Sequence, residues 1–355
     1  MRAPVVLLTG VDPDAMAATM VGLQFGLPGA VAVRHHIDVD RQVLTRTVSD
    51  LTGVIEQHET ELEHACVSCA IREDILPTLE RLARAGRWKS IVAHLPVGAE
   101  GAHLCSVLGW DTRLARFLRV AAVVTAISGR HPVRDLLGED LLADRGLHCS
   151  HDDRRGVGEV LCSMVEYADA VVLDGAVDPI ARGLVRTLVR PGAPVVDGAS
   201  ELDSDALTGR LHQHQCTEAW ASPTRSDELP LVGAEGVWQV DLRSPRPFHP
   251  DRLLDSLEQL GSGRHRSRGC FWLPTRNGRV ITWDGAGGQL SIGDHGPWQK
   301  KSPFTRIVLT GVGVAPAHVR SAFASLLMTA DEAARGWQVI EDGFEPWLGP
   351  IREVA

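Results

Sequence analysis

The feature that most constrains the fold is an alternation of short apolar runs with helical segments through residues 1–200. Val5-Val6-Leu7-Leu8 is an apolar run that leads into a Gly-led turn and then a helix. Such runs, without polar alternation, are typical of strands buried on both faces. The pattern predicts an α/β domain with a mostly parallel sheet and helices on both faces. Further strands are predicted at Ala30 to Val33, Ser90 to Leu95, Ala121 to Ile127, Ala170 to Leu173, and Val195 to Val196.

Helices are predicted between these strands where apolar residues recur at helical spacing. They lie at Ala17 to Leu23, Asp74 to Ala85, and Val157 to Tyr167. Pro77 fits the second helix only if it lies in the first turn, where a missing amide proton costs little.

The composition changes after residue 200, which predicts a second domain. Residues 201–236 hold Asp, Ser, His and Pro with weak periodicity and are interpreted as a linker. Residues 237–355 are expected to form a small α+β domain. Its predicted strands are Val237 to Leu242, Gly269 to Leu273, Val280 to Trp283 and Gln289 to Ile292, with helices at Pro250 to Leu260 and Pro316 to Glu332.

Charge and cysteine content limit the kind of protein. The chain has 355 residues and a net charge of -9, which disfavours DNA as a bulk partner. No stretch approaches the roughly 18 apolar residues of a membrane-spanning helix, so a cytoplasmic protein without membrane contact is expected. An odd number of scattered cysteines favours thiols or metal ligands over a disulfide framework. These are Cys66, Cys69, Cys105, Cys149, Cys162, Cys216 and Cys270.

The turn after the first strand occupies the place of a phosphate-binding loop. When the pattern G-x-x-x-x-G-K-[ST] is laid on Gly10, the second glycine is Ala15, the lysine is Met16 and the hydroxyl residue is Ala17. Without lysine the phosphates lose a positive charge, and without the hydroxyl Mg²⁺ loses a ligand. Two aspartates in the loop would also repel phosphate. GTP is therefore not expected to bind here.

Several motifs resemble the CobW-like family (CobW, HypB and UreG), which joins a P-loop GTPase domain to a small C-terminal domain. The family's C-x-C-C motif is matched at its outer positions by Cys66 and Cys69, with Ser68 between them. Other matching strings are Arg72-Glu73-Asp74-Ile75-Leu76-Pro77, Asp152-Asp153-Arg154-Arg155, Tyr167 to Leu173, Arg246 to Leu253 and Arg266 to Leu273.

This resemblance implies a P-loop-NTPase-like sheet with a CobW C-terminal domain and a role in zinc homeostasis. The guanine-reading Asn-Lys-x-Asp would follow the strand ending at Leu173, but Asp174-Gly175 stands there and Asp178 is one position late. The Glu-rich motif after the strand Ser90 to Leu95 is also absent. Losses at three separated sites argue against GTP hydrolysis, so the chain is not expected to be an enzyme.

The eroded loop beside the cysteine pair, together with the segment Val33 to Asp40, resembles one actinobacterial subgroup of this family, of the mycobacterial recruitment factor type. Members of that subgroup recruit a ribosome hibernation factor during zinc starvation, a stress response. The resemblance implies two partners, a ribosome hibernation promoting factor and the small ribosomal subunit.

The C-x-x-C spacing lets the sulfurs of Cys66 and Cys69 converge on one Zn²⁺. Their place before a helix predicts lowered thiol pKa values. Two thiols are only half of a structural zinc site, so His64, Glu63 and Cys149 are possible further ligands. A redox disulfide and a structural role are alternatives for the pair.

Other candidate residues have weaker support. His148 and His151 flank Cys149, and His35-His36 are expected at a strand end. Each of these histidines is either a metal ligand or an ordinary polar surface residue. The same two alternatives apply to His212, His214 and Cys216 in the linker. The basic run Arg264, His265, Arg266 and Arg268 is either a solvated turn or an RNA contact, and Trp272, Trp283 and Trp298 are expected to anchor a core or an interface.

Three functions therefore remain open. The first is a zinc-responsive adaptor that recruits a hibernation factor to the small ribosomal subunit. The second is a GTP-dependent zinc metallochaperone, and the third is a thiol redox protein.

Overall fold

The computed structural model describes residues 2–63, 66–335 and 341–351. The chain divides into two compact units. The first unit comprises Met1–Asp135 and Asp140–Ala221, and the second comprises Leu136–Glu139 and Ser222–Ala355. None of the described helices combines the length and the apolar character that crossing a membrane requires.

The elements up to residue 221 alternate between strands and helices. The strands are β1 (Ala3–Gly10), β2 (Ala30–Asp38), β3 (Val43–Asp50), β4 (Gly53–Glu61), β5 (Ser90–His94), β6 (Leu118–Ser128), β7 (Ala170–Asp174) and β8 (Val195–Asp197). The α-helices are α1 (Pro13–Gly26), α2 (Val67–Ala70), α3 (Leu76–Ala85), α4 (Gly101–Trp110), α5 (Pro132–Leu137), α6 (Val157–Tyr167), α7 (Pro179–Leu188), α8 (Ser204–Thr208) and α9 (His214–Ala221).

All eight strands form one sheet in the order β4-β3-β2-β5-β1-β6-β7-β8. Each neighbouring pair among β2, β5, β1, β6, β7 and β8 is parallel. The strands β3 and β4 extend the sheet beyond β2 in antiparallel pairing. Successive side chains of β1 point to opposite faces of the sheet. Leu7 packs in the apolar cluster that contains Leu79 of α3, and Leu8 packs in the cluster that contains Met16 of α1. The predicted α/β fold with helices on both faces is therefore confirmed.

The first unit differs from the sequence prediction in several features, among them the helices α4, α5 and α7, which were not predicted. The hairpin β3–β4 was not predicted, because β4 is exposed along most of its length and lacks an apolar run. The helix expected from Asp74 starts earlier: α2 leads into a π-helical turn at Ile71–Ile75, which continues into α3. Pro77 lies in the first turn of α3, as its missing amide proton requires.

Part of the segment interpreted as a linker is helical and packed. Leu207 of α8 and Trp220 of α9 are buried, and Trp220 Nε1 donates a hydrogen bond to the carbonyl oxygen of Leu188 at 3.2 Å. These helices are five and eight residues long, and such short helices show little apolar periodicity.

The second unit is a five-stranded antiparallel sheet with short helices. Its strands are β9 (Val237–Ser244), β10 (His265–Phe271), β11 (Arg279–Ala286), β12 (Gln289–Pro297) and β13 (Thr305–Val312), in the order β12-β11-β10-β13-β9. Its α-helices are α10 (Pro250–Ser256), α11 (Glu258–Gly261), α12 (Val319–Leu326), α13 (Ala330–Arg335) and α14 (Glu345–Leu348). The strand β13 was not predicted, and the long helix expected from Pro316 is divided because Leu327 bridges to Phe248 in extended backbone.

A buried ionic cluster ties the π-turn to the sheet. Asp74 is 5% exposed and accepts a hydrogen bond from His35 Nε2 of β2 at 3.0 Å. It also pairs with Arg46 of β3, which in turn bonds Glu56 of β4. Burial alone would raise the pKa of Asp74, but the hydrogen bond and charge of His35, together with the charge of Arg46, hold it below its usual value. The helical segment that carries Cys66 and Cys69 is therefore fixed by a charged anchor.

Replacing Asp74→Asn should lower the free energy of unfolding by about 3 kcal/mol at pH 7, because it leaves a buried arginine without its nearest charge. Since the pKa of Asp74 is lowered by folding, its contribution is present above the unfolded pKa of about 3.9 and is lost as the pH falls through the folded value. Chemical denaturation should show a constant difference between pH 5 and 7 that shrinks below about pH 4.

Asp40→Asn provides the control, because Asp40 is exposed and no hydrogen bond or ion pair of its side chain is found among the described residues. An equal loss of stability in both variants would contradict the anchoring role of Asp74.

Candidate metal site

Cys66 and Cys69 lie at the start of the helical segment that α2 opens. Cys66 is the N-cap residue, in extended backbone, and its Sγ accepts a hydrogen bond from the amide of Cys69 at 3.0 Å. The two Sγ atoms are 2.7 Å apart, and both residues are free thiols of intermediate exposure. The structure therefore brings this pair of predicted site residues together.

The two thiols do not titrate independently. The hydrogen bond with the Cys66 sulfur, together with burial and the charge of Cys66, raises the pKa of Cys69 to about 11. The expectation that the helix start lowers both pKa values is therefore wrong for Cys69, because the hydrogen bond with Cys66 and burial favour its protonated form.

Cys149 lines the same cavity as Cys66, and the volume of this cavity is about 330 Å³. The Cys149 side chain is buried, and its Sγ donates a hydrogen bond to the carbonyl oxygen of Val97 at 3.1 Å. Burial raises its pKa to about 11. The sequence could not show whether Cys149 approaches the pair, and the fold places it on the same cavity as Cys66.

Acidic and basic residues that were not singled out as ligands support this cavity. Asp153 accepts a hydrogen bond from the Cys149 amide at 3.2 Å and pairs with Arg155 at 2.8 Å. Arg155 also pairs with Glu100 at 3.3 Å. The string Asp152 to Arg155, noted for its family resemblance, thus holds the loop that carries Cys149. The exposed His103 of α4 lies on the cavity as well, and no spacing in the sequence linked it to the cysteines.

A complete metal centre is not preformed in the described part of the chain. In residues 2–63, 66–335 and 341–351, no group of three or more His, Cys, Asp or Glu side chains is arranged to hold an ion. His64, predicted as an additional ligand, lies outside the described residues. The pair Cys66–Cys69 is thus a two-sulfur site with a third thiol, Cys149, on the same cavity.

The loop between β1 and α1 is much shorter than a phosphate-binding loop. Only Val11 and Asp12 separate the strand from the helix, which starts at Pro13. The Asp12 carboxylate caps the helix by accepting a hydrogen bond from the Ala15 amide at 2.9 Å, and its carbonyl accepts from Met16 at 3.0 Å. Two amides at this helix start are therefore already bonded within the protein.

Met16 fills the space beside the first glycine of this loop. Ala15 and Met16 are fully buried in the α1 core, while Ala17 is partly exposed. A Cβ atom added to Gly10 would lie 2.8 Å from Met16 Cγ. The residue at the lysine position of the pattern is thus a core side chain.

The other two eroded motifs have structural roles. Asp178, one position late for guanine recognition, is the N-cap of α7 and accepts hydrogen bonds from the amides of Ile180 and Ala181, both at 3.0 Å. Burial lowers the pKa of His94, at the end of β5, to about 4, so this residue is neutral at pH 7. Its Nδ1 lies 2.8 Å from the carbonyl oxygen of Leu95.

Among the remaining histidine candidates, His212 and His214 lie close together, with ring centroids 6.0 Å apart, but no group of three metal ligands is found in the described part of the chain. His212 Nδ1 bonds Asp169 at 2.8 Å, whereas His214 lies 3.9 Å from Glu218 and Cys216 is exposed. His35 is buried in β2 against Asp74, and His36 next to it is exposed.

The basic run in the second unit is part of a strand. Arg264 precedes β10, and within β10 His265 and Arg266 are buried, with Arg266 paired to Asp284. The interpretation of this run as a solvated turn is therefore wrong. Trp283 and Trp298 are buried, as expected of core anchors.

Comparison with known proteins supports the family resemblance. Residues 237–327 match the family described as the cobalamin synthesis protein cobW C-terminal domain. A protein of Mycobacterium tuberculosis named as a zinc chaperone is 29% identical over 98% of this chain and 94% of its own length. The zinc-regulated GTPase metalloprotein activator 1 of Dictyostelium discoideum is 21% identical over 67% of this chain and 54% of its own length.

Among solved structures, the zinc-bound YjiA GTPase of E. coli is 16% identical, with a TM-score of 0.38, covering 92% of this chain and 99% of that one. The chain is therefore similar to a CobW C-terminal domain over residues 237–327, and to proteins named for zinc over two thirds or more of its length.

Removing Cys66 should make Cys69 more acidic. In the intact protein the rate of Cys69 alkylation should rise with a midpoint near pH 11, and in Cys66→Ala the midpoint should fall toward 9, the ordinary value, because the shared hydrogen bond is gone. Alkylation followed by mass spectrometry of the Cys69 peptide measures this. The exposed Cys216 should be alkylated at the same rate in both proteins, which controls for the reagent. An unchanged Cys69 midpoint would contradict the role of the hydrogen bond with Cys66.

Proposed function

We propose that this chain is a zinc-handling protein that carries Zn²⁺ as cargo on the thiolates of Cys66 and Cys69. The observation that carries the proposal is the convergence of the two sulfurs to 2.7 Å on partly exposed residues at the start of a helical segment. Thiolates are preferred zinc ligands, and an accessible pair can receive and release the ion. The relative named as a zinc chaperone supports the same function.

The geometry requires only a small movement to accept the ion. Two sulfurs bound to one tetrahedral zinc at about 2.3 Å are roughly 3.8 Å apart. The sulfurs of Cys66 and Cys69 therefore have to separate by about 1 Å, which side-chain rotation can supply. Two protein ligands leave two positions open for Cys149 or for a receiving protein, as transfer requires.

Zinc has to displace the proton that the pair shares. Because the pKa of Cys69 is raised to about 11, that thiol is protonated at neutral pH and binding must release its proton. Zinc affinity should therefore increase with pH, and acidification should favour release of the ion.

The β1–α1 loop argues against a GTP-driven version of this function. Met16 stands in place of the phosphate-binding lysine and is buried, and Asp12 already accepts from the helix amides. We therefore propose zinc handling without GTP hydrolysis, and a GTP-dependent metallochaperone is the alternative.

Zinc titration of the reduced protein against a chromogenic chelator at pH 7.5 tests the proposal. Cys66→Ala and Cys69→Ala should each weaken binding by at least about 100-fold, since even residues that only orient a metal ligand cost 10–100-fold. Cys216→Ala, an exposed cysteine on α9, should bind like the unmodified protein. Adding GTP and Mg²⁺ should leave the affinity unchanged.

Unaltered affinity in both site variants would refute the thiol site. A GTP-dependent change in zinc affinity would favour the metallochaperone alternative.

We further propose, as a second candidate, that zinc occupancy of Cys66–Cys69 controls recruitment of a ribosome hibernation promoting factor to the small ribosomal subunit. This candidate rests on the sequence resemblance to the actinobacterial subgroup. A site with two thiols suits a sensor, because incomplete coordination favours reversible occupancy over permanent structural zinc. In this candidate the zinc-free form is the recruiting form.

A pull-down from zinc-starved and zinc-replete cells separates this adaptor from a simple zinc carrier. The unmodified protein should recover the hibernation factor and small-subunit proteins at low zinc, and much less at high zinc. The double variant Cys66→Ala/Cys69→Ala should recover them at both zinc levels, because it cannot be loaded. Equal recovery by the unmodified protein at both levels, with metal content measured on the same sample, would refute the sensor.

A further inference from the structure

A basic cavity lies at the end of the parallel sheet opposite the β1–α1 loop. It is formed where β1, β2, β5 and β6 begin, and its volume is about 570 Å³. This size is within the range of small-ligand sites. Its charged lining residues are Arg2, Lys89, Arg119, Arg210 and Asp205.

Four cations and one carboxylate give this cavity a positive charge, although the chain as a whole carries -9. Among the residues described, none of the four cations forms an ion pair, whereas other arginines of this unit do, such as Arg46, Arg145 and Arg155. A cluster of like charges without carboxylate partners is unfavourable unless an anion binds there.

Two of the four cations keep their charged groups available. For Lys89 and Arg210, both exposed, no side-chain hydrogen bond is found in the described part of the chain. The aliphatic stem of Lys89 packs beside Gly29, where an added Cβ would lie 3.4 Å from Lys89 Cγ. Arg2 has one long bond, of 3.4 Å, to the carbonyl oxygen of Ala115.

Arg119 has a structural role at the base of the cavity. Its guanidinium donates to the carbonyl oxygens of Thr208 and Gly209, at the end of α8. Burial and the nearby charges of Arg210 and Arg2 lower its pKa. Arg210 and Arg2 thus lie close enough to Arg119 to repel it, and an anion between them would reduce that repulsion.

We infer that this cavity binds a small ligand that carries two or more phosphate groups. Several phosphates match several unpaired cations, and guanidinium groups bind phosphate oxygens in pairs. The apolar lining by Leu27 and Pro28 leaves room for an uncharged part of the ligand. The site is separate from the thiol pair and does not depend on zinc handling.

Calorimetric titration of the full chain with tripolyphosphate at low salt tests this inference. Binding should be saturable and should weaken as NaCl is raised, because the contacts are charge pairs. The double variant Lys89→Gln/Arg210→Gln should weaken it by at least about tenfold, as loss of hydrogen bonds to a charged group does. Arg186→Gln, an exposed arginine of α7, is the control and should bind normally.

Asp205→Asn gives a test that damage to the fold cannot imitate. It removes the one carboxylate among the described lining residues and should tighten tripolyphosphate binding several-fold.

Absence of saturable binding at low salt, or equal binding by the double variant and the control, would overturn the inference. A short single-stranded RNA provides a further arm. If RNA binds and tripolyphosphate neither binds nor competes with it, the cavity is part of an RNA surface and the small-ligand assignment is wrong.

Discussion

The burial of both faces of the central parallel strands is the constraint on which the rest of the first unit depends. Residues of β1, β5 and β6 alternate between two apolar cores, so the faces of these central strands are lined mostly by apolar side chains. The two candidate sites accordingly lie at the strand ends. The β1–α1 loop and the cavity shared by Cys66 and Cys149 lie at the carboxyl ends, and the basic cavity lies at the amino ends.

In the loop after β1, the residues that replace the phosphate-binding pattern also pack in the core or bond to the helix start. Met16 replaces a lysine and also fills the core beside Gly10, while Asp12 bonds to the amide that an anion would need. Restoring a lysine here would bury a charge and leave a gap in the core. The neighbouring segment is tied to this loop, since the Gly98 amide donates to the Gly10 carbonyl at 3.0 Å and the Cys149 sulfur bonds Val97. The eroded loop thus supports the thiol cavity beside it.

The reactivity of the thiol pair follows from one hydrogen bond and one helix start. Cys66 caps the helix, and the hydrogen bond between its sulfur and that of Cys69 raises the pKa of Cys69. The charged anchor at Asp74, five residues beyond Cys69, holds this helical segment against β2 and β3. The thiol pair and the charged anchor therefore lie on one short stretch of chain.

Sequence by itself determined the α/β fold, the pairing of Cys66 with Cys69 and the absence of the lysine at Met16, because each depends on periodicity or on near neighbours in the chain. It missed β3 and β4, which are largely polar, and also the buried strand β13, and it extended the linker over the packed helices α8 and α9. It also gave the wrong direction for the pKa of Cys69, which the hydrogen bond with Cys66 and burial raise. Only the tertiary structure decided that Cys149 shares a cavity with Cys66, and that Arg2, Lys89, Arg119 and Arg210 surround another. These residues are tens of positions apart, and the order of strands in the sheet, which local pattern does not encode, brings them together.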